Sequence, residues 1–214
     1  MSEKAKIEVL QKRLLEWVEE GNLREFPWRN TSSPFEVLVA EILLQQTPAN
    51  RVEQVYRELL AEYPTLEALA EAEADDVASL IEELGLHNKR GKALVRNARD
   101  LEGDEIPTDL DSLTDLSYVN DYGANAVLCF AFEEDRPIVD ANVQRIYNRF
   151  FGNNYEVEDS GIWDLAERTL PNERIQEFNL ALLDFGNSIC QSSPNCSDCF
   201  LNDQCRYYNE VHSG

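Results

Sequence analysis

The chain of 214 residues is long enough for one large domain or two small ones, and its 43% apolar and 9% aromatic content excludes a disordered chain. Its formal charge of −22, from 41 acidic and 19 basic residues, argues by itself against a polyanionic partner such as DNA, because like charges repel. No apolar run reaches the roughly 18 residues of a membrane span, and the charged N-terminus lacks the apolar core of a signal peptide, so we expect a cytoplasmic protein without membrane contact.

Apolar residues recur at helical spacing along nearly the whole chain. The first predicted helix, 4–20, ends at Gly21, and a turn-rich FPWRNTSSP segment precedes the second, Phe35 to Thr47, which Pro48 ends. Further predicted helices cover roughly 50–62, 65–71, 74–84, 89–101, 110–116, 122–132, 141–150, 161–169 and 173–188. Because no segment of any length alternates in the manner of a strand, the sequence predicts an all-α fold.

The acidic charge has a second explanation, a halophilic protein that keeps its surface solvated with carboxylates, and the scarcity of lysine fits it. Salt at molar concentration shortens the Debye length to about 3 Å, so net charge then says little about partners. A local exception is more informative, because five basic residues fall between positions 89 and 99 with no acid among them. This segment predicts either a DNA contact, through Lys89, Arg90 and Lys92, or a solvated helix face.

Four of the five cysteines, Cys190, Cys196, Cys199 and Cys205, follow the pattern C-x5-C-x2-C-x5-C. In a cytoplasmic chain this density of thiols indicates a metal site more often than disulfides. Zinc and a [4Fe–4S] cluster both suit such thiolates, and a single CxxC flanked by outlying cysteines favours the cluster, because structural zinc sites usually have two CxxC knuckles. Cys129, within an apolar run, is predicted to be a small core residue.

The segment FNLALLDFGNSICQSSPNCSDCFLNDQC resembles the C-terminal cluster motif of the endonuclease III and adenine glycosylase superfamily, the helix–hairpin–helix DNA glycosylases. The first cysteine spacing is one residue shorter than the family's usual C-x6-C, and Phe200 replaces a common proline. FPWR, EILLQQT and PTLEALA resemble the adenine-glycosylase branch, and GLHNKRGKAL resembles endonuclease III. AVLCFAFEEDRPIVDANVQRIYNRFFG looks most like the archaeal thymine–DNA glycosylases of G·T mismatches.

The resemblance covers roughly residues 23–208 and implies two helical lobes. The lobe 23–135 would carry the helix–hairpin–helix, and 1–22 plus 136–214 would carry the [4Fe–4S] cluster loop, with a cleft between the lobes for a base flipped out of double-stranded DNA. The implied activity is that of a monofunctional glycosylase for thymine or uracil opposite guanine, and we expect a monomer. The alternatives are an adenine glycosylase acting opposite oxidised guanine and a non-catalytic iron–sulfur DNA-binding protein.

Two carboxylates are candidate catalytic groups. Asp140 lies where an extended PIV meets a new helix, which an N-cap would explain, while the resemblance implies that it is the catalytic aspartate. Cleavage of an N-glycosidic bond gives the sugar oxocarbenium character, which a carboxylate stabilises while it orients the attacking water. Glu41 shares a helical stripe with apolar residues, so it is either a boundary residue or desolvated, and the matching glutamate of adenine glycosylases protonates the departing purine.

The family's hairpin, typically LPGVG, uses glycines to bring backbone amides close to DNA phosphate. This chain has Leu116-Ser117-Tyr118-Val119-Asn120 instead, so Val119 and Asn120 are the predicted hairpin contacts. Asn120 is expected to tolerate the left-handed conformation of the second glycine. Tyr118 lacks that tolerance, which predicts weakened or altered DNA binding.

Three further site residues follow from the resemblance. Tyr122 takes the place of the lysine that attacks C1′ in bifunctional relatives, and since a phenol forms no Schiff base, strand cleavage is not expected. The alternative for Tyr122 is an aromatic residue that packs between helices. Gln46 and Leu86 match the side chains that relatives wedge into the duplex, which offsets the energy needed to flip a base.

Overall fold

The computed structural model describes residues 1–101 and 105–212, and in this part of the chain all regular structure is helical. The predicted all-α fold is therefore confirmed. None of the helices there is long and apolar enough to span a bilayer. The chain forms two compact units, one from Glu25–Glu134 and the other from Met1–Arg24 together with Asp135–Gly214.

The helices lie close to the predicted segments. In chain order they are α1 (Glu3–Glu19), α2 (Pro34–Leu44), α3 (Ala49–Glu62), α4 (Leu66–Ala70), α5 (Ala74–Leu80), α6 (His87–Asp100), α7 (Leu110–Thr114), α8 (Asp121–Ala131), α9 (Ala141–Tyr147), α10 (Ser160–Thr169), α11 (Ile175–Ser188) and α12 (Arg206–His212). A wider π turn at Asn148–Gly152 continues α9.

The unit Glu25–Glu134 is built around α2, which is buried on every side from Val37 to Leu43. A helix that is apolar all round belongs in the middle of a core, and α2 packs against α3, α6 and α8. Ser33 begins this helix, because its hydroxyl accepts a hydrogen bond from the backbone amide of Glu36 at 3.4 Å.

Helices α5 and α6 approach so closely that only glycine fits between them. A Cβ atom on Gly91 of α6 would lie 2.8 Å from the carbonyl oxygen of Ala74 and 2.9 Å from the backbone nitrogen of Ala78. Both contacts are with backbone, which cannot rotate away. Gly91 therefore holds α6, and the basic segment on it, against α5.

The other unit has its own apolar core. Leu10 and Leu14 of α1 and the buried faces of α9, α10 and α11 form it. Gly186 of α11 faces Asn142 of α9, and a Cβ atom at that position would lie 2.7 Å from Cβ of Asn142. The start of α9 is thereby held against α11.

The end of α2 and the presence of α12 differ from the predictions for physical reasons. Helix α2 ends at Leu44 rather than at Thr47, since Gln46 has a positive φ of 54° that no α-helix accommodates. Helix α12 was not predicted. Its seven residues offer too few turns for a helical period to stand out, and tertiary packing rather than local propensity stabilises so short a helix.

Candidate functional site

Asp140 is the N-cap of α9, and the first turn of that helix holds its carboxylate. Oδ1 accepts hydrogen bonds from the backbone amides of Asn142 and Val143 at 2.8 Å each, and Oδ2 accepts one from the side-chain amide of Asn142 at 2.7 Å. The capping interpretation is therefore confirmed, and the catalytic role stays a prediction. These hydrogen bonds fix the orientation of the carboxylate. Because the side chain is only half-buried, a substrate can still reach it.

Arg145 links this carboxylate to the cysteine segment. Its Nη2 donates to the side-chain oxygen of Asn142 at 2.8 Å and to the carbonyl oxygen of Gly186 at 2.9 Å. Its Nε donates to the carbonyl oxygen of Cys190 at 2.8 Å. Because Arg145 donates to the side-chain oxygen of Asn142, the side-chain nitrogen of Asn142 points towards Asp140.

Glu41 lies in the middle of α2 and is 6% exposed, so of the two predicted environments the structure has the desolvated one. The beginning of α8 is its neighbour, since a Cβ atom on Gly123 would lie 3.9 Å from Cβ of Glu41. Tyr122, which is half-buried, directly precedes Gly123. Within this unit the fold thus brings Glu41 and the first turn of α8 together.

The hairpin between α7 and α8 turns without glycine, and it does so differently from the prediction. Tyr118 has the left-handed conformation, with a φ of 66°. Asn120 is extended, with a φ of −109°, and its side chain caps α8 by accepting from the backbone amide of Gly123 at 3.0 Å. The expectation that Asn120 replaces a left-handed glycine is wrong, because the helix cap requires the extended conformation. Val119 is half-buried and Asn120 is exposed.

Two side chains that were not predicted as site residues hold the hairpin in place. Asn97 of α6 donates from Nδ2 to the carbonyl oxygen of Ser117 at 2.8 Å and accepts at Oδ1 from the amide of Ser117 at 2.7 Å. Gln45 donates from Nε2 to the carbonyl oxygen of Tyr118 at 2.6 Å. Asn97 is 2% exposed. A polar residue on the apolar face of α6 was the signal in the sequence that could have identified it.

Gln46 and Leu86 are both exposed and both left-handed, with φ of 54° and 51°. Leu86 is 41% exposed, which is unusual for a large apolar side chain in the described residues. Short loops before α3 and α6 carry these residues, and their side chains are accessible for insertion into a duplex. Their roles as wedges stay predictions.

The three cations predicted to contact DNA occupy two different environments. Lys89 and Lys92 are exposed on α6, as a phosphate contact requires. Arg90 is 0% exposed, and its guanidinium donates to the carbonyl oxygens of Leu84 and Gly85 at 3.2 and 2.9 Å. The assignment of Arg90 as a phosphate contact is therefore corrected. Its donors face backbone oxygen inside the protein and not solvent.

The C-terminal cysteines are free thiols that line one cavity. Burial is the main influence on three of them: it raises the pKa of Cys199 to about 11, and it also raises the pKa of Cys196 and the pKa of Cys205. Among the described residues, no three His, Cys, Asp or Glu side chains form a group that could hold a metal ion. The four thiols share the lining of this cavity, and the predicted metal site stays a prediction.

The segment that carries these thiols is braced by Arg149. Its Nη1 lies 3.6 Å from Sγ of Cys190, and its guanidinium donates to the carbonyl oxygens of Gln191 and Ser192 at 2.5 and 2.9 Å. Its own backbone carbonyl accepts from Sγ of Cys205 at 3.5 Å. With the shortened spacing between the first two cysteines, the loop is still held by Arg149 and its thiols still line the cavity.

Phe200, which stands where relatives commonly have proline, has a packing role. Its ring centroid lies 5.1 Å from that of Phe185 and 6.1 Å from that of Trp17. Arg13 lies over its other side, with the guanidinium carbon 5.7 Å from the ring centroid. This aromatic cluster attaches the cysteine segment to α1 and α11.

Comparisons with known proteins agree with this fold. Residues 39–167, more than half of the chain, match the family described as "HhH-GPD superfamily base excision DNA repair protein". The chain is 39% identical to a thymine-DNA glycosylase of Aeropyrum pernix, over 97% of both chains. It is 36% identical to a thymine/uracil-DNA glycosylase of Methanothermobacter thermautotrophicus, over 87% of this chain and 88% of that one.

A solved structure described as a thermostable thymine-DNA glycosylase superposes with a TM-score of 0.91. It is 33% identical, and the match covers 97% of this chain and 98% of that one. The resemblance to helix–hairpin–helix glycosylases is therefore confirmed over nearly the whole length. This chain belongs to the HhH-GPD superfamily of base excision DNA repair proteins.

Proposed function

We propose that this protein is a monofunctional DNA glycosylase of base excision repair, which hydrolyses the N-glycosidic bond of thymine or uracil mispaired with guanine in double-stranded DNA. The carboxylate of Asp140, held in a fixed orientation at the start of α9, is the observation that carries the proposal. The two relatives described above, one named for thymine and the other for thymine and uracil, support the choice of base.

The proposed chemistry at Asp140 follows from the charge that develops on the sugar. As the bond from C1′ to the base breaks, its electron pair leaves with the base and C1′ becomes positive. A carboxylate beside C1′ stabilises that charge and orients the water that completes the hydrolysis. The hydrogen bonds from Asn142 and Val143 hold the carboxylate ready, so little reorganisation is needed during the reaction.

Glu41 and Tyr122 are proposed to act on the departing base and to set the type of reaction. Burial disfavours the charged form of a carboxyl group, which suits Glu41 to donate a proton to the leaving base. Tyr122 offers a phenol where a lysine would offer an amine, so no Schiff base with C1′ forms. The product is then an abasic site in an intact strand.

An assay with labelled duplexes tests this function. Purified protein is incubated in high potassium chloride with duplexes that contain G·T, G·U or adenine opposite oxidised guanine, and released base is detected as strand breaks after alkali. We expect release from G·T and G·U. Release only from the duplex with oxidised guanine would replace the proposal with an adenine glycosylase. Release from none of the three duplexes would favour the non-catalytic DNA-binding protein. A covalent adduct of protein and DNA trapped by borohydride would contradict a monofunctional glycosylase.

We also propose that Cys190, Cys196, Cys199 and Cys205 hold a [4Fe–4S] cluster. The donor set fits, since the four thiols line a common cavity and four cysteine thiolates are the ligands that such a cluster takes. Such a group would tie together the last residues of the chain, and its part would be structural. Arg149, near Sγ of Cys190, would place a positive charge beside the thiolates.

The metal content of the protein decides this second proposal. Anaerobically purified protein is expected to be brown, with a broad visible absorbance that bleaches on reduction and with iron and acid-labile sulfide in equal amounts. Cys199→Ser is expected to remove most of this absorbance, while Cys129→Ser, in the core, is the control that should retain it. Colourless protein that contains zinc would contradict the cluster.

A further inference from the structure

Three loops of the unit Glu25–Glu134 carry the two predicted wedges and the predicted hairpin contacts. They are residues 45–47 with Gln46, residues 84–86 with Leu86, and residues 116–120, the hairpin. In each loop one non-glycine residue has a left-handed backbone, namely Gln46, Leu86 and Tyr118. That conformation costs free energy in such residues, so it persists only where the surrounding structure holds it.

Arg90 connects the first two loops. From Nη1 it donates to the carbonyl oxygens of Leu84 and Gly85, and from Nη2 it donates to the carbonyl oxygen of Gln45 and, at 2.8 Å, to Oγ1 of Thr47. These acceptors flank Gln46 on both sides and directly precede Leu86. One rigid, permanently charged guanidinium thus spans the backbones that carry both predicted wedges.

The hairpin joins the same cluster. Gln45, whose carbonyl oxygen Arg90 engages, donates from its side chain to the carbonyl oxygen of Tyr118 at 2.6 Å. Burial lowers the pKa of Arg90, and the Tyr118 side chain partly offsets that effect. About two turns further along α6, the side-chain amide of Asn97 donates to the carbonyl oxygen of Ser117 and accepts from its backbone amide. Two buried polar side chains of α6 therefore hold the three loops, Arg90 directly for the first two and through Gln45 for the hairpin, and Asn97 directly for the hairpin.

We propose that Arg90 is a positioning residue that couples the Gln46 loop, the Leu86 loop and the hairpin, so that the two wedges and the phosphate-binding backbone meet the duplex as one preorganised surface. The inference rests on the proposed function, because it specifies how the same DNA-reading surface is held. Arg90 itself touches no DNA in this arrangement. Its guanidinium acts through the oxygens of the loops. When the guanidinium is removed, the loops no longer keep fixed positions relative to one another.

Arg99 provides a matched control on the same helix. It also donates to backbone carbonyl oxygens, those of Ala70 and Ala72 at 2.9 Å each, but these lie away from the three loops. Arg90→Met and Arg99→Met remove the same functional group, so a general loss of helix anchoring affects both. Arg90→Lys keeps the charge while losing the fork that reaches two loops at once. Thr47→Val removes one acceptor of Arg90 together with the hydrogen bonds that the hydroxyl itself donates to the carbonyl oxygens of Gln45 and Leu84, and it is the variant to use if Arg90→Met fails to fold.

Hydrogen exchange in the free protein tests the coupling without DNA. With Arg90→Met we expect faster amide exchange in residues 44–48, 84–87 and 116–120 together, and with Arg99→Met no change in these segments. Thr47→Val should accelerate exchange in the same segments to a smaller extent. If exchange rises in only one loop, or equally in both arginine variants, Arg90 does not couple the loops.

Base extrusion and base release test the consequence for the reaction. With 2-aminopurine beside a G·T mismatch, Arg90→Met is expected to lose the fluorescence gain on binding and to slow single-turnover release by about 10- to 100-fold. Its affinity for a fully paired duplex should stay within about threefold, since the exposed lysines remain. Arg90→Lys should fall between Arg90→Met and wild type, and Arg99→Met should match wild type.

The outcomes separate this inference from the proposed function. If the wild-type protein releases no base, the proposed function fails, yet the exchange and 2-aminopurine signals still report on Arg90. If wild type is active and Arg90→Met retains both its fluorescence gain and its rate, the positioning role is wrong. If affinity for paired and mismatched duplexes falls equally, Arg90 supports general binding only, and the inference is overturned.

Discussion

The side-chain nitrogen of Asn142 lies 2.7 Å from Oδ2 of Asp140, while the backbone nitrogen of the same residue lies 2.8 Å from Oδ1. One neighbour therefore contacts both oxygens of the predicted catalytic carboxylate. Arg145 fixes the amide of Asn142 through its oxygen. Capping alone needs only the contacts to backbone amides, so the second contact serves to orient the carboxylate.

Substitution of Asp140 separates capping from catalysis. Asp140→Asn is expected to reduce the free energy of unfolding by less than Asp140→Ala, which loses about 1 kcal/mol, because asparagine still caps a helix. Both variants should release base about 10²- to 10⁴-fold more slowly, since neither side chain is a charged carboxylate. Chemical denaturation and single-turnover release give the two quantities. Wild-type release by Asp140→Asn would show that Asp140 is a cap and nothing more.

Tyr122 decides between base removal and strand cleavage in this proposal. Tyr122→Lys places an amine at the beginning of α8, and we expect it to form a borohydride-trappable adduct with the abasic strand. Tyr122→Phe, which has neither amine nor hydroxyl, should form none. A trapped adduct with the wild-type protein would instead show that another amine attacks C1′.

The exposed lysines of α6 are expected to contribute phosphate contacts. Lys89→Ala and Lys92→Ala should each reduce the slope of log affinity against log salt concentration by about one, with similar effects on matched and mismatched duplexes. Lys12→Ala, on α1 and paired with Glu16, is the control for a generic change of charge. Slopes that stay at the wild-type value in both α6 variants would mean that this helix does not meet the DNA backbone.

Two glycines of the unit Glu25–Glu134 should respond to alanine to different extents. Gly91→Ala pushes a methyl group against the backbone of α5 and is expected to destabilise the protein by about 1–3 kcal/mol. The methyl group of Gly123→Ala meets no atom closer than 3.5 Å, and alanine has the higher helix propensity. We therefore expect the free energy of unfolding to change by about −0.5 to +1 kcal/mol, where a positive value means a more stable protein. Urea denaturation measures both. Equal destabilisation by the two changes would contradict the close approach of α5 and α6.

Periodicity was sufficient to predict the longer helices, because the apolar stripe of a helix is a local property of the sequence, but the seven residues of α12 are too few to show one. The segments around α3, α10 and α11 matched to within two residues, and the resemblance of the motifs to helix–hairpin–helix glycosylases is confirmed. The cysteine spacing identified a candidate cluster, which stays a prediction, as do the roles of Asp140, Glu41 and Tyr122.

The environment of Arg90 and the backbone conformation of Tyr118 could not be predicted from local sequence patterns. In the sequence Arg90 is one cation of a basic run, and only the folded chain shows that the oxygens of residues 45–47 and 84–85 enclose it. Tyr118 stands where relatives have glycine, yet its own residue type does not favour a left-handed backbone, and Gln45, 73 residues away along the chain, helps to hold it there.

The sequence alone thus determined the helical fold class, the family and the identity of the candidate groups, since each depends on residue type and short-range spacing. Tertiary structure decided which candidates are accessible and which are anchors. A side chain becomes an anchor through acceptors distant in the chain, and a left-handed residue is tolerated when distant contacts hold it. For that reason the exposed Lys89 and the buried Arg90, adjacent in sequence, have different proposed roles.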